Sequence, residues 1–136
     1  MKSELKMSDG GIYLTVFDRD CLTALVARML QSGVDSEDLR ELEEILTSAS
    51  IVEDRGSKNR IVTLDSTVRL KDLDFNCEYV YTLVLPLQGN VKQRKVSLLA
   101  PIGRAMLGRT VGDVFDVEVP AGFRTFRVEE IHQARR

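Results

Sequence analysis

The 136-residue chain has no tryptophan, one histidine and two cysteines. His132 has no acid–base partner suggested by spacing, so it reads as a surface residue, and no Ser-His-Asp or Cys-His arrangement can be argued around it. Cys21 falls in a helical pattern and Cys77 near a strand start. No CxxC or HxxxH spacing exists, which argues against a protein-made zinc site and leaves two small, buried or half-buried thiols. A cationic excess is also missing: 19 Lys and Arg stand against 21 Asp and Glu, for a net charge of −2. That argues against a DNA- or RNA-binding domain that works by neutralising many phosphates, and a protein partner fits the balance better. No apolar run approaches a membrane span. The opening "MKSELKMSDGGIYLTVF" contains acids and no apolar run ending in a small-residue cleavage site, so no signal peptide is expected and the expected address is the cytoplasm. No cofactor is expected.

What is there is a folded protein: 43% of residues are hydrophobic and 29% charged, outside the disordered range. "IYLTVF" (Ile12 to Phe17) fits either a strand or packing along the first helix. Asp18 reads as an N-cap. Leu22, Leu25, Val26 and Met29 then recur on one helical face, and Gly33 supplies a stop. Asp35 or Ser36 caps a second helix, with Glu37 and Asp38 in its positive first turn. Its stripe is Leu39, Leu42, Ile45 or Leu46, and Ala49. Two helices of about 13 residues make a short antiparallel hairpin reaching about 20 Å, marginal unless it folds down on something. The polar link "EDRGSKNR" (Glu53 to Arg60) separates this unit, residues 1–55, from a second at 60–136.

The second unit reads as strands: "RIVTLDSTVRL", "CEYVYTLVL", "KVSLLA", "VFDVEV" and "FRTFRVEEI". Phe115, Val117 and Val119 alternate with Asp116 and Glu118, and Phe126 and Val128 with Arg127 and Glu129. One-sided alternation predicts an antiparallel sheet with one covered face. Phe115, Phe123 and Phe126 read as sheet core. The charged stretches "VKQRK" (Val91 to Lys95) and "ARR" read mainly as solvated faces, and "GNVKQRK" as a hairpin turn into an outward strand. Between two strands sits a short helix. Pro101 suits its first position, where the missing N–H costs nothing. Ile102, Ala105, Met106 and Leu107 form its apolar face, and Gly108 ends it. About five strands wrapped on one helix make an α+β domain.

The run "APIGRAMLGRTVGDVFDVEVPAGFRTFRVEEI" resembles the C-terminal domain of the GreA/GreB transcript-cleavage factors. Pro101, Ile102, Ala105, Leu107, Gly108, Val111, Gly112, Asp113, Pro120 and Gly122 match its Pro-Ile-x-x-Ala-Leu-x-Gly, Val-Gly-Asp and Pro-Gly-Gly elements, with Ala121 departing from the last. Asp65, Ser66 and Val68 match the start of that domain. The resemblance covers about 75 residues and implies an FKBP-like fold. The short hairpin is similar to that of the Rnk proteins, Gre relatives with a stunted arm named regulators of nucleoside diphosphate kinase.

The resemblance implies binding to RNA polymerase at its secondary-channel entrance. Docking falls to the residues before and at the helix start, Leu99, Ala100, Pro101 and Ile102. Ala100 stands where the Gre factors usually have Ser or Asn. Cleavage in that family uses tip acids to help hold a Mg²⁺, a hard ion suited to carboxylates. Here the tip acids are Asp35, Glu37 and Asp38, without the family's Asp-Leu-Lys-Glu-Asn run. The expected function is therefore a polymerase-binding regulator that competes with Gre factors without stimulating cleavage, and not itself an enzyme. The alternatives are a true Gre-like cleavage and elongation factor, or an FKBP-like interaction module or prolyl isomerase. Against the isomerase, that activity uses an aromatic pocket with a Trp floor, and the helix "PIGRAML" carries no aromatic.

Overall fold

Helix α1 (Val16–Gln31) begins two residues before the expected cap. In this computed structural model, which describes residues 11–53 and 60–133, Thr15 is the N-cap and its hydroxyl accepts the Asp18 N–H at 3.1 Å. Asp18 instead sits in the first turn, 2% exposed, and its Oδ2 accepts the N–H of Leu64 at 3.1 Å. The reason is energetic: an orphaned buried N–H costs about 1–3 kcal/mol, and Thr15 already fills the capping role. At the far end Gly33 takes φ +77°. The N–H of Gly33 bonds the Leu30 carbonyl at 3.1 Å and that of Val34 the Met29 carbonyl at 3.0 Å, the paired closure that a left-handed residue allows.

Helix α2 (Glu37–Ser48) is capped by Ser36, whose hydroxyl accepts the Leu39 N–H at 3.3 Å. Leu22 and Val26 of α1 and Leu39, Leu42 and Ile45 of α2 are all buried, as their spacing predicts. The two helices are tied at their base by two short strands, the first within the Ile12 to Phe17 stretch for which a strand is one of two readings. β1 (Tyr13–Thr15) and β2 (Ser50–Val52) pair in parallel, with Leu14 opposite Ile51.

Strands β3 (Thr67–Asp72), β4 (Cys77–Val84), β5 (Lys95–Ser97), β6 (Val114–Val119) and β7 (Gly122–His132) form one sheet in the order β5-β4-β3-β7-β6. Phe115, Val117, Phe126 and Val128 are buried and Asp116 and Glu118 exposed, as alternation requires. Two expectations are corrected. β5 lies parallel to β4, with Leu83 opposite Val96. In place of a hairpin the chain makes two 3-10 turns, Pro86–Gln88 and Val91–Gln93, which bring it back in the same direction. Phe123 is 67% exposed, because it lies three residues from Phe126 and so faces the other side of β7.

Helix α3 (Pro101–Met106) packs against the sheet, with Met106 and the following Leu107 fully buried. The result is a mixed α+β fold with one apolar cluster running from Leu14, Leu22 and Leu42 through Val62 and Leu70 to Leu107 and Phe126. The expected boundary between units and the terminal "ARR" fall largely outside the described residues. Among the described residues no helix is long and apolar enough to cross a membrane.

Candidate functional site

The start of α3 is built by Ser97. Ala100 is the N-cap, and its methyl makes no capping hydrogen bond. The Ser97 hydroxyl accepts the Leu99 N–H at 2.9 Å and its carbonyl the Ala100 N–H at 3.0 Å, so the turn into the helix is braced from the preceding strand. Pro101 is exposed at the first helical position, while Leu99, Ala100 and Ile102 are half-buried. Leu99 and Ile102 pack against the core. Of the four expected docking residues only Pro101 is presented outright; the others back it.

Two neighbours that sequence reasoning missed fix this helix. Gly103 is buried where a Cβ would lie 2.1 Å from the Ser97 carbonyl oxygen, so only glycine lets α3 approach β5 this closely. Arg104, 9% exposed, donates Nε to Glu41 Oε1 at 2.7 Å and reaches Asp38 Oδ1 with its Nη1 at 2.9 Å. The same Nη1 donates to the Leu99 carbonyl. A nearly buried guanidinium demands carboxylate partners, and here they come from α2, 63 and 66 positions away in sequence. No local pattern marks Arg104 for this role.

The three tip acids therefore part company. Asp38 is held by Arg104. Asp35 is exposed and 3.4 Å from Arg40, a surface contact worth about 0–1 kcal/mol. Glu37 is exposed at the first position of α2. Between α2, α3 and β6 lies an open groove of about 640 Å³, walled by Glu37, Glu41 and Glu44 on one side and Asp116 and Glu118 on the other. Pro101 and Phe123 line it as well.

Across the sheet, Asp72 is fully buried and accepts the N–H groups of Asp74 at 2.9 Å and Phe75 at 3.1 Å, and Arg124 Nε at 2.8 Å. Burial pushes its carboxyl upward, but the Arg124 guanidinium and the two backbone donors outweigh that and hold it below the ordinary carboxylate value. Among the described residues no group of three or more His, Cys, Asp or Glu side chains could hold a metal.

The helix start braced by Ser97 is followed by a turn in which Gly112 takes φ +95° and Asp113 Oδ2 accepts the Thr110 N–H at 2.9 Å. Residues 57–133 match the family described as transcription elongation factor, GreA/GreB, C-terminal. The chain belongs to the GreA/GreB family. Transcription elongation factor GreA of Chloroherpeton thalassium is 35% identical over 105 residues, 77% of this chain and 66% of that one. GreA of Thermoanaerobacter pseudethanolicus is 37% identical over 92 residues, 68% of this chain and 59% of its own. The chain thus spans about three-fifths to two-thirds of the length of these curated Gre relatives. A solved structure described as prokaryotic transcription elongation factor GreA/GreB from Nitrosomonas europaea superposes with a TM-score of 0.72 at 28% identity. That match covers 90% of this chain and 98% of that one.

These likenesses correct the expected function. A competitor without stimulating activity was inferred from the short arm and the missing acidic tip run, whereas the relatives are elongation factors by name. Against about 13 residues expected for each helix, α1 holds 16 and α2 holds 12.

Proposed function

We propose that the chain is a Gre-type transcription elongation factor acting on RNA polymerase. The observation that carries this is the match of residues 57–133 to the GreA/GreB C-terminal family, joined by relatives named GreA. The exposed Pro101 at the head of a braced helix supports docking there: a rigid apolar knob whose neighbours are already folded loses little entropy on binding. Leu99, Ala100 and Ile102 hold that knob in place.

Asp35 and Glu37, exposed at the turn between the helices, are the carboxylates offered to the partner, while Asp38 serves the fold through Arg104. Carboxylates are the ligands a Mg²⁺ in a polymerase centre takes. In this reading the chain assists chemistry that belongs to the polymerase and is not itself an enzyme. It works where polymerase works, in the cytoplasm. The sheet packed on α3 supports the FKBP-like description, and the 16- and 12-residue helices support placing it with the short-armed, Rnk-type members.

The test is co-purification with core RNA polymerase at low salt, with GreA as competitor. Pro101→Arg is expected to weaken binding at least tenfold, about 1.4 kcal/mol, with the melting temperature little changed. Failure of the wild-type chain to co-purify would overturn the proposal, and a large melting drop in the variant would make Pro101 structural.

A further inference from the structure

The segment joining β4 to β5 carries the two most exposed large apolar side chains among the described residues, Leu87 at 98% and Val91 at 92%. They sit on braced backbone. Asn90 and Lys95 exchange both backbone hydrogen bonds at 2.9 Å, Asn90 Oδ1 accepts the Gln93 N–H at 3.2 Å, and the Thr82 N–H bonds the Arg94 carbonyl at 2.9 Å. Arg94 is held at φ +58°. Aliphatic groups held out this way gain nothing from water and become favourable only when something covers them. Their pre-set backbone lowers the entropy lost when that happens.

The same loop places Lys92, Arg94 and Lys95 in solvent, and none of them is in an ion pair among the described residues. The charge is not local chance. From Tyr79 to Gly112 the chain has no Asp or Glu at all, in a sequence whose net charge is −2. The loop also adjoins the start of α3: a Cβ added at Gly89 would lie 3.6 Å from Ser97 Cβ, and Ser97 is the residue that braces Leu99 and Ala100.

We infer that the 86–95 loop is a second contact with the same polymerase partner, in which Leu87 and Val91 enter an apolar recess and Lys92, Arg94 and Lys95 meet carboxylates around it. This rests on the docking proposed above and adds the chemistry of the surface: acidic, with an apolar depression. A nucleic acid is the poorer occupant, because the loop has no aromatic side chain on which a base could stack. A second copy of this chain offers acids along the α2–β6 groove and is decided by the experiment.

Full-length Leu87→Ser/Val91→Ser, Lys92→Glu/Lys95→Glu and Pro101→Arg are compared with wild type for affinity to core RNA polymerase at low and high salt. Sedimentation and thermal melting are measured in parallel. The serine pair is expected to bind about tenfold more weakly at both salts. The glutamate pair should lose more at low salt than at high salt, because screening removes its contribution. Neither should melt lower. If both bind like wild type while Pro101→Arg is weakened, the loop contact is overturned and the docking reading stands. If the loop variants weaken and Pro101→Arg does not, the loop is supported and docking at Pro101 falls. Absence of wild-type binding overturns both. A wild-type dimer that the loop variants dissolve also overturns the inference, since the occupant is then a second copy.

Discussion

Replacing Arg104 by methionine keeps the aliphatic stem and removes the guanidinium. What is lost can be worked from the geometry: a charge-assisted hydrogen bond of 2.7 Å to Glu41, an ion pair of 2.9 Å with Asp38, and the donor to the Leu99 carbonyl. Arg104 is 9% exposed but its partners' side chains are 46% and 43% exposed. The carboxylates therefore return to water when the cation goes, and the 3–5 kcal/mol scale of breaking a fully buried pair does not apply. One or two charge-assisted bonds at about 1–2 kcal/mol each, partly repaid by hydration, leave a loss of about 2 kcal/mol. For a chain of this size that lowers the melting temperature by about 8 °C. Glu41→Gln keeps an acceptor and should cost about 1 kcal/mol. The double variant should cost less than the sum, since both remove one interaction. Calorimetry and urea unfolding of the four proteins give the cycle. An Arg104→Met protein within about 0.5 kcal/mol of wild type, or strict additivity, would refute the view that Arg104 fastens α2 to α3.

Gly103→Ala puts a methyl 2.1 Å from a backbone oxygen. The strand carrying Ser97 must shift, and a loss of about 2–3 kcal/mol is expected by urea unfolding. An unchanged midpoint would show that the approach of α3 to β5 is looser than described. Asp72 has its carboxyl held below the ordinary value in the folded state. Its contribution is therefore present above about pH 4 and lost as pH falls through the lowered folded value. Acid titration of stability should be shallower in Asp72→Asn than in wild type below about pH 4, and superimposable slopes would remove Asp72 from the account.

Much of this fold follows from short-range rules. The stripe Leu22, Val26, Leu39, Leu42 and Ile45 obeys helical spacing, Gly33 and Ser36 obey capping chemistry, and the β6 alternation is visible residue by residue. Pro101 at a helix start was legible for the same reason. What escaped depends on partners far along the chain. Asp18 looks like a cap until Leu64 claims its carboxylate. Asp38 looks like a free tip acid until Arg104 arrives from 66 residues on. Gly103 carries no signal because its reason is the Ser97 carbonyl. β1 lies within Ile12 to Phe17, where a strand is one of two readings, while its partner β2 spans three residues, too few for any periodicity. The parallel return of β5 is dictated by two 3-10 turns that the polar composition of "GNVKQRK" does not announce. Function was legible to the level of the family, and erred where a short arm and a missing tip run were used to subtract an activity.

The central claim, that this chain is an elongation factor of the Gre type, is tested most directly on a stalled, backtracked RNA polymerase complex supplied with Mg²⁺ and saturating protein. The account predicts faster release of the 3′ RNA fragment and more complexes resuming elongation, with both effects reduced in the Asp35→Ala/Glu37→Ala variant, in which only an exposed ion pair and one first-turn acid are lost from the fold. Release and resumption at the rate seen without the protein, under conditions where it is bound to the complex, would contradict it.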